Sequence, residues 1–289
     1  MDLSIADLLK TIILGIVEGL TEWLPVSSTG HMILVDEFIK LDVSKAFMDM
    51  FLVVIQLGAI MAVIILYFSK LNPFSRKKTP QQRKGTWSLW GKVVVGCIPA
   101  AIVGVLLDDW ADANLYNAVV IATALIIYGV IFIVMERLNK KQGTHSRQRV
   151  QEVDELDLLT AFKIGCFQCL AIVPGTSRSG STIIGGLLCG CSRVAASEFS
   201  FFMAIPVMFG WSVLKIAKLV LGGVVLTTTE LAVGAVGLVV AFVTSVLSIK
   251  FLMGYIQKHD FGVFGWYRIA LAIVVLVAVF GFGLDPAAA

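Results

Sequence analysis

Six apolar stretches, at 47–69, 89–107, 116–136, 199–220, 229–253 and 266–284, are separated by segments rich in polar residues. Runs of about twenty apolar residues match the hydrocarbon thickness of a bilayer and predict transmembrane helices. The segments between them differ in charge. Residues 70–92, "KLNPFSRKKTPQQRKGTWSLWGK", and 137–149, "RLNKKQGTHSRQR", are strongly basic, and 250–268 carries Lys250, Lys258 and Arg268. By contrast, 108–116, "DDWADANLY", is acidic, and 221–230 holds no basic residue. The positive-inside rule puts the three basic segments in the cytoplasm and the other two outside, and every span then alternates correctly. Both termini fall on the outer side.

Two further apolar stretches, 5–40 and 159–192, do not read as single helices. Each has a short helical run, a proline with a polar Gly/Ser/Thr cluster, and a second short run: "LLKTIILGIVEGLTEWLP–VSSTG–HMILVDEFI" and "LLTAFKIGCFQCLAIVP–GTSRSG–STIIGGLLCG". Neither arm is long enough to span. Non-helical backbone is tolerated at membrane depth only where protein or a water-filled cavity surrounds it, so both stretches predict re-entrant helical hairpins. The hairpins correspond: "GIVEGLTEWLPVSS" and "GCFQCLAIVPGTS" share a glycine, an acidic or amide residue, a leucine, and a proline followed three residues later by serine. Three spans follow each hairpin, and an odd number reverses the sense of the second unit. The expected fold is an all-α polytopic membrane protein, one membrane domain over 1–289. It is an inverted-topology repeat with six transmembrane helices and two hairpins. The first repeat is 1–136, with its hairpin at 5–40, and the second is 159–284, with its hairpin at 159–192. The hairpin tips, entering from opposite leaflets, are expected to meet near the midplane.

Composition agrees. The chain is 58% hydrophobic and 15% charged, with a mean hydropathy of +0.90, whereas soluble domains run near about 25% charged. Residues 1–20 lack the basic start and small-residue cleavage site of a signal peptide, and the final "DPAAA" carries no role. The net charge of +3 is small. Because the basic residues flank apolar spans, they read as topology signals rather than a nucleic-acid surface. The five cysteines all fall in apolar stretches. Cys166 and Cys169 form a C-x-x-C, but no second pair has zinc-ribbon spacing, so packing roles are expected.

The polar chemistry collects at the two tips. Glu18 and Glu22 are four residues apart on a helix and share a face. Buried together they repel, and a divalent cation, a shared proton or an arginine would offset that cost. Pro25 ends the first arm and makes Ser27 or Ser28 the cap of the next helix. Pro174 does the same for Ser177 or Ser179. A helix start with free N–H groups is an anion site, and Arg178, between Ser177 and Ser179, has the fork geometry that suits phosphate. Alternatively Arg178 pairs internally with Glu18 or Glu22, or alternates between acid and ligand. His31 lies within a turn of Ser27 and Ser28, whereas His145 and His259 fall in the basic loops. Asp49, Gln56 and Glu198 read as helix-end or interhelical groups. Gln168 holds the place in the second hairpin that Glu18 holds in the first. Together these groups describe a phosphoryl-transfer site.

"EGLTEWLPVSSTGH" (18–31), "PGTSRSG" (174–180), "ASEFSF" (196–201) and "GCFQCLAIVPG" (165–175) closely resemble the bacterial undecaprenyl-diphosphate phosphatase family, the bacitracin-resistance (BacA-type) enzymes. The resemblance runs through essentially the whole chain. It implies hydrolysis of undecaprenyl diphosphate to the monophosphate carrier reused in peptidoglycan synthesis, in the bacterial inner membrane with the site open to the periplasmic side. It also implies a divalent cation, Mg2+ or Ca2+, held by Glu18 and Glu22. Family accounts differ on whether serine or histidine attacks phosphorus; Ser28 is taken as nucleophile or phosphate anchor, with His31, Glu22 and Arg178 as the other catalytic residues. The expected phosphate contacts are Ser27, Thr29, Gly175, Thr176, Ser177, Ser179, Gly180 and Ser181. The expected partners are the lipid substrate and the bilayer, without nucleic acid, and a homodimer stays open because sequence does not fix oligomeric state. The rival reading is a polyprenyl-phosphate transporter or flippase using the same midplane anion site. "SSTGH" also echoes a motif of type-2 phosphatidic-acid phosphatases, but "SGSTIIG" after Arg178 lacks the histidine which that motif set needs.

Overall fold

Side-chain caps and prolines set the helix boundaries in the computed structural model, which describes residues 4–39, 41, 43–141, 149–223 and 226–283. Helix α1 (Ile5–Thr21) starts where the Ser4 side chain accepts from Asp7 N, and α2 (Ser28–Phe38) follows the bend at Pro25. Helix α3 (Lys45–Leu66), capped by Ser44, leads through the short α4 (Phe68–Leu71) to α5 (Pro80–Leu115). At the start of α5, Thr79 and Gln82 satisfy each other's backbone N–H groups, and Pro80 takes the first helical position, where a missing N–H costs nothing. Helix α6 (Ala118–Lys141) ends the first half. The second half holds α7 (Leu158–Gln168) with a tight 3-10 turn at Cys169–Ile172, α8 (Arg178–Leu188), α9 (Arg193–Leu221), α10 (Thr228–Ile256) and α11 (Gly262–Phe282).

Among the described residues, α5, α6, α9, α10 and α11 are each long and apolar enough to cross a membrane, and α3 adds the apolar run Met50–Leu66. The described residues contain no strand, only an isolated bridge between Val150 and Cys191. The protein is an all-α polytopic membrane protein. Large apolar side chains such as Val105, Leu106 and Phe280 lie 72–83% exposed, a surface that suits lipid rather than water.

Three charged segments differ from expectation. Residues 108–115, read as an acidic loop, form the last turns of α5. The basic stretch after 136 continues α6 through Lys141. Arg268, read as a cytoplasmic loop charge, lies inside α11 and is 0% exposed. In each case the helix ladder continues past the point where charge begins, because hydrophobicity marks lipid contact and not where backbone hydrogen bonding stops.

Packing between the halves is reciprocal. Helix α1 packs on α10 and α7 on α5; α6 pairs with α11, and α3 with α10 and α9. Small residues let these backbones approach. A Cβ on Gly129 would meet Gly265 O at 2.7 Å, and one on Gly265 would meet Gly129 O at 2.6 Å. The main buried cluster gathers Trp23, Phe132, Phe199, Phe201, Phe202 and Phe261 around the hairpins.

Candidate active site at the hairpin tips

Both tips turn on the same backbone device. Ser27 has φ 73° and Ser177 φ 72°, the only positive values among described non-glycine residues. A side chain in that region costs about 1–3 kcal/mol and persists where the surroundings over-determine it, most often at a functional site. Here each serine is fixed as a helix cap. Ser27 Oγ accepts from Gly30 N at 3.3 Å and Ser177 Oγ from Gly180 N at 3.1 Å. Of the two candidate caps in each tip, the structure selects Ser27 and Ser177. Ser28 and Arg178 thereby become the first residues of α2 and α8. Gly175, at φ 89°, brings the second tip so close to α6 that a Cβ would meet Ile121 O at 2.5 Å.

The tips meet. Arg178 donates from Nη2 at 3.0 Å and from Nε at 3.3 Å to Glu22 Oε1, and from Nη1 at 3.0 Å to Ser200 O. Both side chains of this ion pair are nearly buried, 11% and 9% exposed. The Arg178 guanidinium also lies 5.8 Å from the Trp23 ring centre. The other Glu22 oxygen, Oε2, accepts from Ser28 Oγ at 2.6 Å. One carboxylate therefore links the second tip's cation to the first tip's hydroxyl. Glu18 is 3% exposed, feels the charges of Glu22 and Arg178, and has no hydrogen-bond partner for Oε1 among the described residues. Gln168, its counterpart in the second hairpin, is equally buried, with both amide atoms unpartnered among the described residues.

His31 bonds neither serine side chain. Its Nδ1 lies 2.7 Å from Ser27 O and its Nε2 2.7 Å from Tyr267 Oη, with the two rings nearly parallel at 8°. A carbonyl only accepts, so this network assigns the proton to Nδ1 and leaves the Nε2 lone pair to the Tyr267 hydroxyl.

The expected phosphate contacts divide into two sets. Thr29 sits half-buried in the first turn of α2. Ser179 Oγ donates across to Glu22 O at 3.0 Å, and Ser177 Oγ lies 3.1 Å from Ser179 Oγ. Ser181 Oγ donates to Ser177 O at 3.0 Å. The Ser179 proton is thus directed at a carbonyl of the other tip, and the Ser181 proton at a carbonyl of its own. Gly175 and Thr176 present their carbonyls to Arg268, whose Nη2 donates to them at 2.7 and 2.8 Å, while its Nη1 reaches Pro25 O at 3.1 Å. Arg268 also stacks against Tyr128, 5.5 Å from the ring centre.

Four residues escaped the sequence reading: Arg268, Tyr267, Ser200 and Trp23. Arg268 carried a signal, since it falls inside the predicted span 266–284 as well as in the basic segment, and an arginine within a span is costly unless it serves the protein. Ser200 lies in "ASEFSF". Nothing in the sequence pairs Tyr267 with His31. Glu198 is an ion-pair partner of Lys70 at 2.8 Å, Gln56 is half-buried, and the Asp49 side chain and His145 lie outside the described residues.

The fold and the site define a polytopic membrane protein with a carboxylate–hydroxyl–guanidinium cluster buried between two helix starts. The chain belongs to the bacitracin resistance protein BacA family, whose model matches residues 11–274. It is 54% identical to the undecaprenyl-diphosphatase of Enterococcus faecalis over 271 residues, 94% of this chain and 97% of that one. Proteins of the same name from Latilactobacillus sakei and Desulfitobacterium hafniense are each 55% identical, covering 95% of this chain and 98% and 97% of their own.

Proposed function

We propose that this chain hydrolyses undecaprenyl diphosphate to undecaprenyl phosphate and inorganic phosphate, returning the lipid carrier to peptidoglycan synthesis. It does so in the bacterial plasma membrane, with its site open to the outer side. The observation that carries the reading is the link Arg178–Glu22–Ser28, which joins the two hairpins at 3.0 and 2.6 Å. Relatives 54–55% identical over more than nine-tenths of the chain bear the name of that activity.

The chemistry follows from the geometry. The terminal phosphate lies between the starts of α2 and α8, where first-turn N–H groups and the helix dipoles favour negative charge. Arg178 turns from Glu22 to the phosphate oxygens, which its fork binds in pairs. Ser28 Oγ attacks the terminal phosphorus and gives its proton to Glu22 Oε2. The bond to the bridging oxygen breaks, and the lipid monophosphate leaves as an anion that needs no proton. The Tyr267 hydroxyl releases His31 Nε2; water then attacks the phosphoserine and passes its proton to that nitrogen, the P–Oγ bond breaks, and Glu22 returns the proton to Ser28. Glu18 and Glu22 are the residues that would hold a divalent cation, Mg2+ or Ca2+. They fit one: Glu18 Oε1 is buried without a hydrogen-bond partner, and Mg2+ at phosphate sites takes one or two carboxylates, with waters and phosphate oxygens completing its shell. No cluster of three or more acidic, histidine or cysteine ligands exists among the described residues, so water and substrate would complete the shell. A cation held there would supply positive charge against the phosphate.

The reciprocal packing of α1 on α10 and α7 on α5 supports an inverted-topology repeat of 1–136 and 159–284, with hairpins entering from opposite leaflets. The same packing also favours a second reading, a polyprenyl-phosphate transporter, because transporters share that architecture. Phosphate release from a C55 isoprenyl diphosphate in detergent separates the two. Ser28→Ala and Glu22→Ala should lower turnover by about 10³-fold, Arg178→Ala should do so too, and EDTA should abolish it, while lipid binding survives. Wild-type turnover that ignores EDTA would remove the cation from Glu18 and Glu22. A Ser28→Ala, His31→Ala double variant that still releases phosphate at the wild-type rate would remove the mechanism.

A further inference from the structure

A polar cavity of about 280 Å3 opens on the face that carries the basic loops and shares no lining residue with the hairpin tips. Its walls include Lys70, Lys78 and Lys92, together with Gly85, Thr86 and Asp154. The three ammonium groups are held in place. Lys78 Nζ donates to Lys70 O at 3.0 Å and to Thr86 Oγ1 at 2.6 Å, and Lys92 Nζ donates to Asp154 O at 2.8 Å. Lys70 pairs with Glu198 at 2.8 Å. Lys78 and Lys92 thus donate to neutral oxygens, and an ammonium has three donors. With Lys70 neutralised by Glu198, two ammonium groups, Lys78 and Lys92, face the one lining carboxylate, Asp154, so one positive charge is in surplus. Burial pulls the Lys78 ammonium below its ordinary value despite the opposing pull of Asp154, and a bound anion would relieve that cost.

The depth of the cavity is marked by aromatic residues. Trp87, between Thr86 and Ser88 of the cavity wall, is 55% exposed and meets the 76% exposed Phe74 edge to face at 5.7 Å. Exposed aromatic rings of this kind sit at the headgroup level of a bilayer. Arg76, Lys77, Arg83 and Lys84 are exposed around them. Basic pockets at that depth, at the ends of membrane helices, suit anionic headgroups.

We propose that this cavity is a phosphate-binding site, filled by the phosphodiester of an anionic membrane lipid or by free phosphate, with Lys78 and Lys92 as its donors. The proposal does not depend on the diphosphatase reading. Its test is thermal unfolding of the delipidated full-length protein in detergent, titrated with phosphatidylglycerol, with phosphatidylcholine, or with inorganic phosphate at matched ionic strength. The phosphate arm is repeated in Arg178→Ala, so that the hairpin site is not counted. Two variants report on the cavity: Lys78→Gln, and Gly85→Glu, which sets a carboxylate in the opening where a Cβ meets nothing within 4 Å. Wild type should be stabilised by phosphatidylglycerol well before phosphatidylcholine. Each variant should raise the half-saturating concentration about fivefold, the value of one basic residue at an anionic surface, with phosphate release from the diphosphate unchanged. Stabilisation by phosphatidylglycerol alone identifies a lipid ligand; stabilisation by inorganic phosphate as well identifies the free anion, and both support the site. Equal response to all three additives, or a Gly85→Glu protein that titrates like wild type, overturns it.

Discussion

Replacing Arg268 by methionine keeps a stem of similar length but removes a guanidinium that donates to carbonyls of both hairpin tips. Arg268 is 0% exposed and donates to Pro25 O, Gly175 O and Thr176 O at 3.1, 2.7 and 2.8 Å. Hydrogen bonds to a charged group contribute about 1.5–3 kcal/mol each. Three from one cation do not add, because they share its desolvation cost. Removing the donor leaves buried carbonyls unsatisfied at about 1–3 kcal/mol each, and with that sharing a net loss of about 3–5 kcal/mol is expected. For a chain of this size each kcal/mol moves the midpoint by about 2–4 °C, so Arg268→Met should melt roughly 6–20 °C below wild type. Phosphate release should fall with it at temperatures where the variant is still folded, because the first tip carries Ser28 and the second carries Arg178. Arg268→Lys should recover only part of each loss, since a single ammonium cannot serve carbonyls on both tips at the fork's spacing. An Arg268→Met protein that melts within about 1 °C of wild type and turns over normally would refute the reasoning.

Gly265→Val sets a side chain where a Cβ already meets Gly129 O at 2.6 Å; it should cost about 1–3 kcal/mol by overpacking, measured as a lower melting midpoint, whereas Gly104→Val, with nothing within 4 Å, should not. Asp260, in the loop before α11, is partly desolvated, which raises its pKa, but Lys140 at 2.6 Å and Gly262 N outweigh that and hold it below 3.8. A carboxylate depressed in the folded state stabilises above its unfolded pKa and loses that contribution as pH falls through the folded one. The melting difference between wild type and Lys140→Met should therefore be full at neutral pH and vanish in acid below 3.8.

Much of the architecture is written in one-dimensional pattern. Apolar runs give the spans, and a proline with serine after it gives each tip, because both are local rules of length and backbone geometry. The pairing of Arg178 with Glu22 was open in the sequence as one of two partners, and proximity alone selects it. Other features depend on distances that no local rule carries. The Ser28 hydroxyl goes to Glu22 rather than His31, and His31 goes to Tyr267, more than two hundred residues away. Arg268 was misread because a charge at the edge of an apolar run looks the same whether the chain leaves the bilayer there or folds it inward. The glycines of α6 and α11 read as ordinary small residues until the two helices are seen to touch.

The clasp formed by Arg268 has a consequence for how such a chain comes to life during synthesis. It rides on α11, whereas the carbonyls it grips belong to segments made far earlier in the chain. A nascent or prematurely stopped polypeptide holds every reactive group yet lacks the peg that brings them into register. Hydrolysis therefore waits for α11 to insert, and products that stop short of it are silent.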